Sequence, residues 1–172
     1  LVTGKKFITK LLNASRFVFM NLGDYKGQKP KQFTFIDNLF LNKLSKLVNK
    51  VTKYFLEYEY SKAKQEIENF FWKDFCDNYL EIVKKRIYQG EGDKKLSAQY
   101  VLYKSLLIIL KLISPIMPFI TEEIYQEYFR KTEKDKSIHI SEWPRLELKQ
   151  KTLNNLTNLE LSCYNLDQHT TD

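Results

Sequence analysis

Turn-forming residues are scarce in this 172-residue chain, which holds five glycines and four prolines. So few leave room for only a handful of connections, and they argue for a small number of long helices. Cysteine is nearly absent: Cys76 and Cys163 make neither a disulfide framework nor a zinc site. Cys76 follows Phe75 in an apolar run and reads as a small buried thiol. The two histidines, His139 and His169, have no nucleophile or metal partner at motif spacing. His139 alternates with Ile138 and Ile140 and reads as a polar surface residue. Gly4-Lys5 lacks the glycine spacing of a phosphate loop, and Asn13-Ala14-Ser15 fits a glycosylation site only formally. Glu122 and Glu123 fall in the first turn of a helix, where the dipole accounts for them. The sequence therefore offers no catalytic residue and no metal ligand set. The longest apolar stretch, Leu106–Ile113, is interrupted by Lys111 and is too short to cross a bilayer. No secretory leader is visible, and the chain reads as soluble and cytoplasmic, with no membrane partner.

What is present suits a packed core: 43% of residues are hydrophobic, 15% of the chain is aromatic, and the net charge is +7. One domain is the natural expectation at this length, and the charge suggests an anionic partner. The first helix is read from Thr3 to Leu22. At about 100° per residue, Phe7, Leu11, Ala14, Val18 and Leu22 form a single stripe. Thr9, Asn13, Arg16 and Met20 lie opposite. No carboxylate occurs between residues 3 and 22, whereas Lys5, Lys6, Lys10 and Arg16 do. A cationic face bearing an amide and a guanidinium fits a polyanion with readable edges, and RNA is the commonest of these.

Gly23, Gly27 and Pro30 mark a loop. Asp37 reads as the cap of a second helix running to about Tyr58, with Ile36, Phe40, Leu44, Leu47, Val51 and Phe55 as its core stripe. Beside the stripe stand Lys43, Lys46, Lys50 and Lys53. Like charges on adjacent turns repel by a few tenths of a kcal/mol per pair, and no glutamate follows until Glu57. Either solvent or an RNA backbone relieves such a column. A third, longest helical region starts at Ser61 and ends in Lys84, Lys85 and Arg86, which complement its dipole. Phe71 and Phe75, with Trp72, Cys76 and Tyr79 as a second row, read as core, and Asp74 and Asp77 as partners of caps or neighbouring cations. A fourth helix, from about Leu96 to Ile113, is apolar nearly all round and should be central. Pro115 and Pro118 impose a break before a fifth helix ending near Arg130. Ser137–Trp143 alternates and reads as an extended strap. The expected architecture is thus an all-α helical bundle of about five main helices over residues 1–145. Residues 146–172 form a C-terminal extension, with a short helix around Leu153, Leu156, Leu159 and Leu161 and a mobile tail.

Four segments carry a resemblance. KLLNASRFVF (Lys10–Phe19) resembles the opening of the anticodon-binding helical domain of valyl-tRNA synthetases. FFWKDFCDNYLEIVKKRIY (Phe70–Tyr88), LISPIMPFITEEIYQ (Leu112–Gln126) and SIHISEWP (Ser137–Pro144) agree with it in order and spacing. LISPIMPFITEEIYQ is shared by several class I synthetases, isoleucyl enzymes included, whereas NASRF and FWKDFCDNYLE favour valine. The resemblance implies a tRNA ligase whose catalytic domain, using ATP and Mg²⁺, lies upstream. The signatures HIGH and KMSKS are missing here. The chain opens on Leu and enters a helical pattern at once, so it is expected to be an excised piece, inactive alone, without a cofactor of its own and monomeric.

In that family the first two helices face the anticodon loop. The resemblance therefore makes Asn13, Arg16 and Met20 candidates for base contact, since loop bases can be splayed from the stack. Lys10, Lys43, Lys46 and Lys50 become candidates for phosphate contact, which positions RNA without reading it. One departure stands out. Family members show Asp, then Arg or Lys, then an aromatic at the start of the second helix, and this chain has Asp37-Asn38-Leu39. Asn38 and Leu39 are carried over as contacts with their roles open. The competing readings are the same domain of an isoleucyl enzyme and a helical protein-interaction module.

Overall fold

The computed structural model describes residues 2–146. Helix α1 spans Val2–Met20, α2 Phe35–Leu56 and α3 Tyr60–Asn69. A π-helical segment, Phe70–Tyr79, joins α3 without a break to α4, Leu80–Gln89. Helix α5 spans Gly92–Ile113 and α6 Pro118–Ile124; a second π-helical segment, Tyr125–Phe129, prolongs α6. The expected all-α bundle is what forms.

The stripe on α1 is buried as its spacing dictates: Phe7, Leu11, Ala14, Val18 and Leu22 all face the core, and Met20 opposite them is 83% exposed. Helix α5 runs through the centre, with Leu102, Leu106, Ile109 and Leu112 fully enclosed. It starts four residues earlier than its pattern suggests, at Gly92, whose φ of 58° suits glycine. By length and hydropathy α5 could cross a membrane, and it is the one such helix among the described residues; here the bundle wraps it. Helix α2 packs on α3 and α5, α4 on α5, and α1 on α5 and α6.

The start of α2 departs from expectation. Asp37 is not the cap. Thr34 is, its Oγ1 accepting from the Asp37 backbone N–H at 3.3 Å. Asp37 instead turns inward and is completely buried, while Ile36, expected in the core, is 40% exposed. A buried carboxylate needs donors, and three side chains supply four of them. Arg86 at the end of α4 grips it with both nitrogens, at 2.8 and 2.7 Å. Tyr79 Oη donates at 2.6 Å, and Ser97 of α5 donates as well. Arg86 also reaches Thr34 Oγ1 at 3.0 Å. The cationic end of the third helical region is thus not merely a dipole match, because Arg86 is the counterion of Asp37. Replacing Thr34 with alanine is expected to cost about 1 kcal/mol, seen as a lower urea midpoint with an unchanged slope.

The π-helical segment was not foreseen. Its buried residues come in pairs, Phe70/Phe71, Cys76 with Phe75, and Tyr79/Leu80, recurring at spacings of five and four. That period exceeds the 3.6 of an α-helix and matches a wider turn, in which the Leu80 N–H bonds back to the Phe75 carbonyl. Burial pushes the Cys76 thiol up to about 12, which fits an inert core thiol.

The turn between α2 and α3 contains no glycine, so Tyr58 adopts the left-handed conformation itself, at φ 59°. Ser137–Trp143 is not extended throughout: Ile138–Ile140 forms a single 3₁₀ turn. Helix α6 starts at Pro118, so Glu122 and Glu123 fall beyond its first turn, contrary to expectation; Glu122 instead accepts from Ser137 Oγ at 2.9 Å and from the Ile138 N–H at 3.0 Å. His139 is exposed as expected, its Nε2 3.2 Å from the Pro118 carbonyl. Beyond the turn, the chain crosses α2, where Trp143 Nε1 donates to Thr52 Oγ1 at 2.8 Å and Ser45 Oγ to the Leu146 carbonyl at 3.3 Å. The expected helix at Leu153–Leu161, the mobile tail, Cys163 and His169 lie outside the described residues.

Candidate nucleic-acid interface

The second half of α1, the start of α2 and the end of α4 gather at one end of the bundle. Lys84 Nζ of α4 sits 5.6 Å from the Phe17 ring centroid of α1. Arg86, half a turn further, holds Asp37 of α2. Gln99 near the start of α5 donates to the Asn21 carbonyl at 3.2 Å, closing the end of α1 onto it.

Between α1 and α4 runs a groove of about 180 Å³. Phe17 and Leu80 form its apolar floor, and Lys10, Asn13 and Lys84 stand at its rim. Asn13 is exposed, so its amide offers two donors and an acceptor to whatever enters. Lys10 Nζ lies 5.2 Å from the Trp72 centroid, a cation–π contact that orients the ammonium over the groove's edge. Lys84 is bound to Glu81 at 2.6 Å.

The remaining candidates distribute around this groove. Arg16 is exposed one turn on and borders the Tyr128 phenol, which stacks on Phe19 with centroids 4.5 Å apart. Burial pushes that phenol up, Glu127 adds to the effect, and Arg16 opposes it. Met20 caps the same end. Asn38 and Leu39 lie on the other side of α4: the Asn38 amide donates to the Phe33 carbonyl at 3.4 Å, and Leu39 faces a separate groove. The structure therefore brings Lys10 and Asn13 together with each other but not with Asn38 and Leu39.

The lysine column on α2 is relieved from within the protein rather than by solvent alone, and Asp74 partners a neighbouring cation as expected of it. Lys43 pairs with Asp74 at 2.9 Å and Lys50 with Glu66 at 2.7 Å; Lys53 lies 3.8 Å from Glu57. Lys46 is exposed on the same row. Both Lys43 and Lys50 are half exposed, and such surface pairs contribute only about 0–1 kcal/mol, so a phosphate can compete for them. Lys50 stands roughly 18 Å along α2 from Asn38. Phe17, Leu80 and Lys84 escaped the sequence reading. Phe17 falls just off the α1 stripe, and Lys84 had a sufficient explanation in the helix dipole.

Residues 37–164 of this all-helical bundle match a family described as the anticodon-binding domain of tRNA ligase. The chain belongs to that family. Among its relatives is the valine–tRNA ligase of Wolbachia pipientis wMel, 42% identical over 146 residues, which are 84% of this chain and 16% of that protein. The valine–tRNA ligase of Ehrlichia canis is 44% identical over 150 residues, covering 84% and 18%. That of Haloarcula marismortui is 38% identical over 144 residues, covering 84% and 15%. The chain thus spans about one sixth of the length of these curated relatives.

Proposed function

We propose that this chain is the anticodon-reading region of a valine–tRNA ligase, and that it holds the anticodon loop of valine tRNA at the α1–α4 end of the bundle. The observation that carries the reading is the groove in which an apolar floor, Phe17 and Leu80, lies under an exposed Asn13 amide, the Lys10 ammonium and the Lys84–Glu81 pair. A splayed nucleobase has the matching properties: a flat face to lay on the floor and a polar edge to meet Asn13. Arg16 and Met20 extend the contact along α1, while Lys10, Lys43, Lys46 and Lys50 neutralise phosphates. Aminoacylation itself, with ATP and Mg²⁺, belongs to a catalytic domain of the same polypeptide, acting as a monomer in the cytoplasm. The valine reading is favoured over the isoleucine one by relatives of about 40% identity that carry the valine name.

The test is a titration of the 172-residue chain with an anticodon stem-loop bearing a valine anticodon, beside one with the middle base changed, at two salt concentrations. The valine loop is expected to bind more tightly and to weaken with salt. Arg16→Ala and Asn13→Ala should each cost about 1–3 kcal/mol and narrow the difference between the two loops. Lys46→Ala should weaken both alike and flatten the salt dependence. Equal binding of both loops by the unaltered chain would remove base reading from the proposal. No binding at low salt would overturn it in favour of a protein-interaction module.

A further inference from the structure

The two rims of the α1–α4 groove differ in character, and the α4 rim carries a group that repels RNA. On α1 stand Lys10 and Asn13, on α4 Glu81 and Lys84. Lys84 Nζ donates to both Glu81 oxygens, at 2.6 and 2.7 Å, yet the Glu81 side chain remains 58% exposed. An ionised carboxylate has about four acceptor sites, so the pair leaves acceptor capacity open beside the groove. A helix dipole does not account for this glutamate. Helix α4 continues the π-helical segment, with Tyr79 and Leu80 both helical and the Leu80 N–H already bonded to the Phe75 carbonyl. No free N-terminus therefore lies beneath Glu81. An exposed ion pair with Lys84 stabilises little, while the carboxylate repels every phosphate alike. That repulsion is offset only where a base donates to it. We infer that Glu81 sets base specificity in this groove: it accepts from the exocyclic amine of the third anticodon base, cytosine in valine tRNA, and rejects uracil there. The inference rests on the anticodon-reading role and assigns to it a residue of α4.

Codon–anticodon pairing defines what such a groove must tell apart. Valine codons begin with G and U, isoleucine codons with A and U. Their anticodons therefore share a middle adenine and differ at the third base, cytosine against uracil. The two pyrimidines have nearly one outline, so the apolar floor of Phe17 and Leu80 takes either. They differ at C4, where cytosine has an amine that donates and uracil a carbonyl that accepts. A carboxylate only accepts. It pairs with the cytosine amine and faces the uracil carbonyl with like charge and no proton between them. Asn13 across the groove cannot make this distinction, because its amide both donates and accepts. Discrimination of this kind needs a repulsive element as well as an attractive one, and Glu81 supplies both. Lys84, held 5.6 Å from the Phe17 centroid, fixes the carboxylate over the floor. The acceptor is thus in place before a base arrives, which spares the entropy of ordering it.

The experiment titrates the 172-residue chain and its Glu81→Gln and Glu57→Gln variants with four anticodon stem-loops. One bears the valine anticodon. In two others the third base is uracil or pyrimidin-2-one, which has no substituent at C4; in the last the middle base is changed. Glu57, the half-exposed C-cap of α2, lies outside the groove and controls for the loss of a negative charge. Circular dichroism confirms that each variant folds. The unaltered chain is expected to bind the cytosine loop about tenfold or more tighter than the uracil loop, with pyrimidin-2-one between them. In Glu81→Gln, whose amide donates as well as accepts, the cytosine and uracil loops should come within about threefold of each other. The penalty for the changed middle base should stay as it was. If Glu81→Gln keeps the full preference for cytosine, or shifts every loop by one factor as Glu57→Gln does, the inference falls and the anticodon-reading role stands. The same holds if the unaltered chain binds the cytosine and uracil loops equally while still rejecting the changed middle base. If Glu81→Gln loses discrimination at the middle base instead, the assignment to the third base is refuted. If the unaltered chain binds none of the loops at low salt, both proposals fall together.

Discussion

Replacing Asp37 with alanine is expected to destabilise the chain by about 3–5 kcal/mol, because it leaves the Arg86 guanidinium without its counterion in a largely buried site. Two further donors, Tyr79 and Ser97, lose their acceptor at once. The network joins the start of α2, the end of α4 and the start of α5, so the loss should appear as global unfolding rather than local fraying. Urea unfolding at pH 7 measures it. The same carboxylate sets a pH dependence. Burial pushes its pKa up, but the hydrogen bonds from Arg86, Ser97 and Tyr79 together outweigh burial and hold it below the usual carboxylate range. A group with a depressed folded pKa stabilises fully above its unfolded value, near 4, and the contribution is lost as the pH falls through the folded value. The unaltered chain should therefore keep this stability down to about pH 4 and lose it below. The variant should lack that acid-limb loss. Equal stability of the two proteins at pH 7 would refute the assignment of the network as a keystone.

Phe71→Ala is expected to cost a similar amount, about 3–5 kcal/mol, through lost burial and the cavity left behind. Phe71 is fully buried and meets the edge of Phe7 on α1 at 5.2 Å between centroids, with Phe75 6.0 Å away on its own helix. It is the ring through which the π-helical segment seats α1. Loosening that seat widens the α1–α4 groove, so the proposed RNA binding should fall about tenfold even where the variant remains folded. Phe71→Leu, closer in volume, should cost less in both respects. Affinity that follows the fraction folded and nothing else would show that the ring supports the fold but not the groove. Stem-loop titration at a temperature where both variants are native separates the two cases.

The contrast between α1 and α2 shows how far the sequence could be read. On α1, polar and apolar residues segregate cleanly, and all five stripe residues went to the core while Asn13, Arg16 and Met20 faced out. A strong helical period is a local signal, and it survives folding. At the start of α2 the same reasoning placed Ile36 inside and Asp37 at the cap, and both were displaced. An aspartate is ordinarily exposed; only Arg86, remote in sequence and adjacent in space, makes its burial favourable. The relief of the lysine column was only partly legible for the same reason, since Asp74 and Glu66 reach it from another helix. The π-helical segment left a trace in the paired spacing of its apolar residues, but such helices are too rare to be expected. As for the site, Asn13 was legible because a face without carboxylates is unusual. Its groove partners Leu80 and Lys84 were not, because a groove belongs to two helices and a sequence shows one at a time.

The burial of the Asp37–Arg86 pair has one more consequence. Electrolyte screens charges that face water and hardly touches those sealed from it. Lys43, Lys50 and Lys84 are surface charges, whereas the pair that fixes the helices beneath them has a carboxylate with no exposure at all. If RNA binds at this end as proposed, a rise in ionic strength should strip it off while the framework keeps its shape. On that proposal, release and re-engagement would cost no refolding, and the surface would be ready again as soon as the salt falls.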